Sequence, residues 1–312
     1  MTAPVPPCPI CASLHSGVED VLTPAQIGDG WRLLGVELSP AAHESFGGVP
    51  EIRRYRCGNC GLAHFDPVLP GNGAFYSDLQ RQLPDYYQPT RPAFDRALKW
   101  ATAQGYRGVL DVGCGSGAFL DQAARKGLQT AGLDLNPDGV AECLKRGHDV
   151  HQRTAADFFT DCPDRRFDLV TSFEVMEHVP GPASFFASAA TLVRPGGGLV
   201  VSVPNDGGLP GLARLIPHQW PPHHLTLWRR RNLQDLAQQN GLEVVALETD
   251  PLPWSMVRLF LDVQQQLEQR TGRRKALNPW LPWLGAWSYR LSGARYWWSG
   301  TGTSITLICR RT

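Results

Sequence analysis

Residues 109–120 read VLDVGCGSGAFL, in which a short apolar run leads into glycines at positions 113, 115 and 117. The run predicts a buried strand, and residues 116–126, which end just before Gly127, predict a helix. The glycines leave room for a ligand to approach the backbone, and the first turn of the helix offers unpaired N–H groups to it. These residues therefore predict a strand, a ligand-binding loop and a helix in direct succession.

Strands and helices keep alternating beyond this loop. Apolar segments predict further strands at 130–134, 148–151, 167–173, 198–203, 242–247 and 303–309, and the segments between them predict helices at 137–146, 183–193 and 232–240. Strands that alternate with helices of about 10–15 residues are typical of a doubly wound α/β sheet with parallel strands. The larger part of the chain is therefore predicted to be an α/β domain.

An acidic residue follows the second of these strands. Asp134 lies 19 residues after Gly115, a spacing that suits a carboxylate holding the two hydroxyls of a ribose. Gly113, Gly115 and Ala118 also satisfy the dinucleotide-binding pattern, with alanine in its third place. From these residues alone, an NAD-dependent oxidoreductase and another nucleoside-binding enzyme are both open.

The ordered motifs of the chain resemble one family. Residues 111–117, DVGCGSG, closely resemble the first motif of class I S-adenosylmethionine (SAM)-dependent methyltransferases. Later segments resemble that family's following motifs: GLDLNP at 132–137, FDLV at 167–170, FEVMEHV at 173–179, LVRPGG at 192–197 and VSVPN at 201–205. The resemblance runs from about 108 to 250. It implies a Rossmann-like sheet of seven strands, whose last strand at 303–309 is antiparallel, and it makes the oxidoreductase the weaker alternative.

The resemblance implies SAM as the cofactor. It places Asp111 and the glycines at the methionine end, Asp134 at the ribose hydroxyls, and Asp157 beside the adenine amine. Tyr87, with its neighbour Tyr86, matches a segment that covers the cofactor, although the pair could also pack the linker. The full set of implied cofactor-binding residues is Asp111, Gly113, Cys114, Gly115, Gly117, Asp134, Leu135, Asp157, Phe158, Phe173 and Tyr87.

Candidate catalytic groups follow the strand at 167–173. Glu177 and His178 would lie at the carboxyl edge of the sheet, where a base could take a proton from an acceptor. Together with Glu174 they also resemble a pattern that is linked to a divalent metal in polyprenyl-catechol O-methyltransferases, so a magnesium site is an alternative. A third interpretation is that they cap the next helix and shape the cofactor pocket.

A second histidine candidate lies in the segment PPHHL at 221–225. This segment resembles the Pro-x-His-Leu stretch after the fifth strand of related methyltransferases, which places His224 near the acceptor. A structural role for His224 is an equal alternative.

Four cysteines near the N-terminus form two C-x-x-C pairs, Cys8 with Cys11 and Cys57 with Cys60. Two such knuckles can complete a four-thiolate zinc site, although the 45 residues between them exceed the usual spacing. The alternatives are unliganded thiols or a redox pair. The position of the unit resembles zinc-ribbon methyltransferases. The other cysteines, at 114, 143, 162 and 309, are interpreted as ordinary buried thiols.

Composition limits the class of protein. The chain has 312 residues, with 30 Lys+Arg against 29 Asp+Glu, so no nucleic-acid partner is expected. No run of about 18 apolar residues predicts a membrane span, and no secretory signal is expected. Scattered cysteines indicate a reducing, cytoplasmic location. The predicted organisation is a zinc ribbon at 1–70, a linker with a leading helix at 71–107, the methyltransferase domain at 108–250 and its last strand at 303–312.

The segment 251–302 interrupts this organisation. It contains six of the ten tryptophans, and we interpret it as a helical insertion that forms a lid over the acceptor. The alternatives are a packing layer or dimer interface, and contact with a membrane surface. The sequence does not predict an oligomeric state.

These observations predict a methyltransferase that moves a methyl group from SAM to an oxygen or carbon of a small or amphiphilic acceptor. An alternative from another class is a non-catalytic interaction module, in which the zinc ribbon binds a protein and the cofactor domain is vestigial. The complete set of Asp111, the glycines and Asp134 speaks against such decay.

Overall fold

The computed structural model describes residues 4–83, 86, 88–208, 211, 215–253, 262–269, 296–297 and 302–312. The chain forms two units. The first comprises Met1–Leu83, Pro204–Arg230 and Thr249–Ile305, and the second comprises Pro84–Val203, Arg231–Glu248 and Thr306–Thr312. Tyr87 and most of the Trp-rich segment lie outside the described residues, so the proposed lid stays a prediction.

The strands, in chain order, are β1 (Ser16–Leu22), β2 (Ile52–Cys57), β3 (Ala63–Asp66), β4 (Gly108–Val112), β5 (Gln129–Leu133), β6 (Asp149–His151), β7 (Phe167–Phe173), β8 (Val193–Pro204), β9 (Thr226–Leu227), β10 (Leu242–Thr249), β11 (Leu252–Pro253), β12 (Tyr296–Trp297) and β13 (Ser304–Arg311). The helices are α1 (Pro24–Leu33), α2 (Pro40–His43), α3 (Gly73–Gln82), α4 (Pro92–Gln104), α5 (Ala118–Arg125), α6 (Pro137–Lys145), α7 (Ala155–Asp161), α8 (Pro182–Thr191), α9 (Arg230–Gln239) and α10 (262–269).

The second unit is built on a seven-stranded mixed sheet in the order β10-β13-β8-β7-β4-β5-β6. Strands β4 to β8 pair in parallel, with β4 between β5 and β7. The carboxyl ends of these parallel strands therefore meet at one edge, which is where ligands bind in such sheets. The predicted α/β class and seven-stranded sheet are confirmed.

Local sequence signals determine where the helices of this unit begin and end. Pro137 occupies the first turn of α6 and the side chain of Asn136 caps it, while Gly105 ends α4 in a left-handed conformation. Helix α5 begins at Ala118, two residues after the predicted start, because Gly117 has a φ of 81° and cannot belong to the helix.

The core of the second unit contains an aromatic cluster beside β7. Phe94, Phe119 and Phe173 are buried, with ring centroids 4.7–5.3 Å apart. Contacts of this kind add roughly 0.5–1.5 kcal/mol per pair to the free energy gained by burial. The cluster anchors α4 and α5 on the strand that ends at the candidate catalytic residues.

The first unit contains an antiparallel sheet in the order β1-β2-β3-β9. The sequence predicts only a small zinc-ribbon unit over residues 1–70, and it does not indicate these strands or α1. Its apolar alternation is broken by Arg53, Arg54 and Arg56 in β2. Arg54 is nevertheless fully buried, because it forms ion pairs with Glu19 and Asp206.

The fourth strand of this sheet comes from a distant part of the chain. After β8 the chain enters the first unit, where β9 pairs with β3. The carboxylate of Asp206 accepts from Arg54, Arg56 and Arg229 at 2.8, 2.6 and 3.1 Å. The segment from 204 to 230 is therefore an integral part of the first unit.

Helix α10 lies within residues 251–302, the segment that we interpret from the sequence as a helical insertion. Its Val263 and Leu267 are buried, and Gln264 accepts a hydrogen bond from the backbone of Leu215. Among the described helices, none combines the length and the apolar character that crossing a bilayer requires.

Candidate functional site

The glycine loop after β4 has a backbone that only glycine adopts readily. Gly113, Gly115 and Gly117 have φ values of 82°, 53° and 81°. A Cβ atom on residue 113 would overlap the side chain of Val175, which follows β7. The loop is therefore closely packed against the residues that follow β7.

Asp134 joins this loop to the end of β5. Its two carboxylate oxygens accept hydrogen bonds from the backbone N–H groups of Gly115, at 2.6 Å, and Asn136, at 2.8 Å. The side chain is only partly buried, so its remaining lone pairs can accept from vicinal hydroxyls. Next to it, the side chain of Leu135 is 64% exposed, which leaves an apolar surface beside the carboxylate.

Asp111 lies inside β4 and is fully buried. Thr171, its register partner on β7, donates a hydrogen bond to its carboxylate at 2.7 Å. Burial raises the pKa of Asp111 to about 7, against the opposing effect of the Thr171 hydrogen bond. Asp111 is thus buried in the strand that leads into the glycine loop. Its carboxyl can carry a negative charge near neutral pH.

Asp157 and Phe158 occupy the first turn of α7. Thr154 caps this helix and donates its hydroxyl to the Asp157 carboxylate at 2.7 Å, and Asp157 remains exposed. Phe158, in contrast, is fully buried, with its ring 5.3 Å from His151. Phe173 is also buried, in the aromatic cluster described above. The rings of Phe158 and Phe173 therefore pack inside the core beneath the carboxyl edge of the sheet, and they are not exposed at its surface.

The turn after β7 brings together Glu174, Glu177 and His178. Glu174 has a φ of 56°, a strained conformation for a residue other than glycine, and its carboxylate accepts a hydrogen bond from the Ser202 hydroxyl at 2.9 Å. Strain of this kind is concentrated at functional sites. The turn therefore holds two acids and an imidazole at the carboxyl edge of the sheet.

Glu177 and His178 differ in burial and form a potential proton-transfer pair. Glu177 has only 1% of its side chain exposed, and burial, reinforced by the charge of Glu174, raises its pKa well above the usual range. Its Oε1 lies 3.6 Å from His178 Nε2, and among the described residues its Oε2 has no hydrogen-bond partner. The His178 side chain is 20% exposed, so it can reach a substrate while Glu177 stays inside.

His224 belongs to the first unit. It is buried and stacked on His223, with ring centroids 4.4 Å apart, and the His223 ring packs in turn edge-on to Trp31. Its surroundings are therefore those of an aromatic core.

The four N-terminal cysteines come together as the sequence predicts. All four sulfur atoms lie within 4.8 Å of one another, with Cys8 and Cys60 3.6 Å apart and Cys11 and Cys57 3.6 Å apart. Four thiolates around zinc, with Zn–S bonds of about 2.3 Å, have sulfur atoms separated by somewhat under 4 Å. The donor set and its spacing fit a structural zinc ion.

Sequence reasoning missed the polar residues that support the site. Thr171 and Ser202 hold Asp111 and Glu174, and both are buried. The available signal was the presence of hydroxyl side chains within the otherwise apolar strands β7 and β8. A buried hydroxyl needs a partner, and it can be expected to bond a polar group on a neighbouring strand.

Comparisons with known proteins bear on the second unit. A family model described as a methyltransferase domain matches residues 77–247. The ubiquinone biosynthesis O-methyltransferase of Methylococcus capsulatus is 34% identical over 45% of this chain and 68% of that protein. The enzyme of the same description from Burkholderia pseudomallei is 35% identical over 55% of this chain and 83% of that protein. In the counterpart from Aeromonas salmonicida, 42% identity extends over only 43% of that protein.

A solved structure shares the fold. The SAM-dependent methyltransferase from Archaeoglobus fulgidus superposes with a TM-score of 0.50 over 77% of this chain and 100% of that chain, at 17% identity. At this identity the likeness concerns the fold alone.

Proposed function

Since the chain belongs to the family of SAM-dependent methyltransferases, we propose that it moves the methyl group of SAM to an acidic hydroxyl of a small, partly apolar acceptor. Its relatives are named as O-methyltransferases, which supports oxygen as the acceptor atom. The observation that carries the proposal is the pairing of an accessible His178 with a buried Glu177 at the carboxyl edge of the sheet.

We assign the cofactor to the loop edge. Asp134 would accept from the ribose hydroxyls, the exposed Leu135 would pack on the adenosine, and Asp157 would accept from the adenine amine. Asp111 would face the positively charged methionine end from beneath the loop. Phe158 and Phe173 would support the site from within the core.

The chemistry is an in-line displacement. The acceptor oxygen attacks the methyl carbon, the bond from carbon to the sulfonium sulfur breaks, and S-adenosylhomocysteine leaves. The hydroxyl proton passes to the His178 imidazole, beside the Glu177 carboxyl. A phenol, with a pKa near 10, gives its proton to an imidazole far more readily than an aliphatic alcohol does, so a phenolic acceptor suits this site.

The first test measures release of S-adenosylhomocysteine with phenols that carry apolar substituents. We expect His178→Asn to lower kcat by about 10²- to 10⁴-fold, the usual contribution of a general base, with the Kd for SAM within about twofold of the wild type. His43→Asn, which changes an exposed histidine of the first unit, serves as the matched control and should have normal kinetics.

Other outcomes would contradict this proposal. Turnover that a chelator abolishes and magnesium restores would favour a magnesium site formed by Glu174, Glu177 and His178. Methylation of carbon acids but not of phenols would move the acceptor atom to carbon. Binding of NAD in place of SAM would overturn the cofactor assignment.

The protonation state of the Asp111 carboxyl predicts that affinity for SAM depends on pH. Its pKa of about 7 means that the carboxyl is largely neutral at pH 6 and ionised at pH 8. The ionised form favours a cationic ligand, so affinity for SAM should rise with pH and level off above 7. Calorimetry should show a Kd about tenfold higher at pH 6 than at pH 8. In Asp111→Asn this difference should disappear, and a difference that persists would assign the titration to another group.

We also propose a zinc ion in the first unit, held by Cys8, Cys11, Cys57 and Cys60. The convergence of the four sulfur atoms supports it. Zinc in such a closed four-thiolate site stabilises the fold and leaves no open position for a substrate. The cysteines would therefore anchor β1, β2 and the loop before β3.

A further inference from the structure

Two thiols of the second unit meet beneath the glycine loop. Cys114 is part of the loop, and Cys143 projects from α6. Their sulfur atoms lie 3.9 and 3.5 Å, respectively, from the same acceptor, the carbonyl oxygen of Gly115. Both side chains are buried, and both belong to the same small apolar cluster with Leu120, Val140 and Val150. The pair lies outside the four-cysteine cluster. Cys114 belongs to the cofactor-binding set that the resemblance implies, but neither thiol takes part in the chemical step of the proposed methyl transfer.

The two thiols are chemically unequal. Hydrogen bonding between them lowers the pKa of Cys143 and raises the pKa of Cys114, and the positive charge of Arg146 adds to the lowering at Cys143. The Arg146 guanidinium and the Cys143 sulfur border the same point, since a Cβ on Gly117 would lie 3.2 Å from the first and 2.7 Å from the second. The Arg146 cation beside a second thiol favours the thiolate form of Cys143, and Cys114 is positioned to act as its partner. Cys143 is fully buried, so peroxide must reach its sulfur through transient opening of the glycine loop.

We propose that Cys114 and Cys143 form a reversible oxidation site, at which a disulfide bond between them closes the glycine loop against SAM. The inference rests on the proposed assignment of SAM to this loop. The oxidant is a peroxide. The Cys143 thiolate attacks one peroxide oxygen and becomes a sulfenic acid, as the second oxygen leaves and is protonated to water. The Cys114 thiol then attacks the Cys143 sulfur, and the sulfenic oxygen leaves as a second water molecule.

The disulfide would act on the ligand-binding backbone directly. A disulfide holds its sulfur atoms about 2.05 Å apart, far closer than two unbonded sulfur atoms approach, so its formation must draw the Cys114 and Cys143 side chains together. The loop and α6 are already in close contact at this point, since a Cβ on Gly139 of α6 would lie 2.7 Å from the Gly115 carbonyl oxygen. Because the loop cannot move further towards α6, we expect the disulfide to distort it and to displace the Gly115 N–H group that bonds Asp134. The ribose-binding carboxylate would then lose its alignment with the loop.

The test exposes the full-length, zinc-loaded protein to hydrogen peroxide. Peptide mapping under non-reducing conditions should find Cys114 joined to Cys143, and calorimetry should find SAM affinity at least tenfold weaker. Dithiothreitol should restore both. Prior saturation with S-adenosylhomocysteine should slow the reaction, because a bound nucleoside covers the loop.

Two variants make the outcome decisive. Cys143→Ser preserves a donor to the Gly115 carbonyl and should bind SAM normally before and after peroxide. Cys309→Ser, which removes a buried thiol of β13, should respond to peroxide as the wild type does. A disulfide between the two cysteines that leaves SAM affinity unchanged would overturn the inference. Loss of SAM affinity in peroxide-treated Cys143→Ser would overturn it as well. Failure of the reduced protein to bind SAM would instead reject the proposed cofactor.

Discussion

Cys57→Ser is expected to lose zinc and to unfold the β1-β2-β3 part of the first unit. In small four-thiolate units the metal contributes about 10–16 kcal/mol of binding free energy, which is largely folding free energy. Wild-type protein should contain about one zinc ion per chain, since four ligands complete one tetrahedral site. Elemental analysis measures the metal, and hydrogen exchange of residues 1–83 measures the loss of structure.

A cysteine outside the cluster provides the control. Cys162 is a partly buried thiol of the second unit, and Cys162→Ser should retain zinc and normal exchange. If Cys57→Ser aggregates, the wild type stripped of metal by a strong chelator tests the same point. Wild-type protein purified in the presence of zinc that contains none would contradict the proposal.

Asp134→Ala is expected to weaken SAM binding by about 2–3 kcal/mol, or about 30- to 150-fold, which is the effect of losing charge-assisted hydrogen bonds. The structure gives a second reason to expect a loss of binding free energy near the upper end of this range. The same carboxylate accepts from the N–H groups of Gly115 and Asn136, so the substitution also releases the loop. Calorimetry with SAM measures the change directly.

Asp138→Ala is the matched control for this variant. Asp138 is an exposed acid in the first turn of α6, close to Asp134 in sequence, and its removal should leave affinity nearly unchanged. Equal affinity of Asp134→Ala and the wild type would show that the ribose is held elsewhere. Tight NAD binding by the wild type would reject the assignment altogether.

The second unit could be predicted from sequence because its strands are buried on both faces. Strands such as β4, β7 and β8 therefore appear as continuous apolar runs, and glycines and prolines mark the turns between them. The prediction missed helix α7 and otherwise differed mainly at element ends. Strand β8 begins at Val193, five residues before the predicted start, because Val193 already pairs with Phe167 of β7 ahead of an irregularity that ends at Gly198.

The first unit could not be predicted in this way, because much of its order depends on charge. Arg54 is fully buried in β2. Its ion-pair partner Asp206 lies in the segment that follows β8 of the second unit. Neither hydrophobic periodicity nor local spacing in the sequence predicts that Arg54 and Asp206 pair. The cysteine knuckles were predictable, since their spacing is itself a local pattern.

Within the candidate site, the sequence names residues without indicating how deeply each is buried. Asp134 is partly accessible and Leu135 is exposed, whereas Asp111 is enclosed within its strand. Depth depends on what packs from neighbouring strands, as Thr171 does on Asp111, and register across a parallel sheet is not encoded locally.

The buried arginine–aspartate cluster bears on how this enzyme can be recombined with its relatives. A chimaera that took residues 84–312 from this chain, with a foreign N-terminal region, would leave the enclosed carboxylate of Asp206 without Arg54 and Arg56, and with Arg229 as its remaining ion-pair partner. Removing partners from a buried ion pair costs about 3–5 kcal/mol, a large share of the stability of most domains. Successful exchanges should therefore transplant 1–83 and 204–230 together. For the same reason, substitutions of Arg54, Arg56 or Asp206 should be tolerated only alongside matching substitutions of their ion-pair partners.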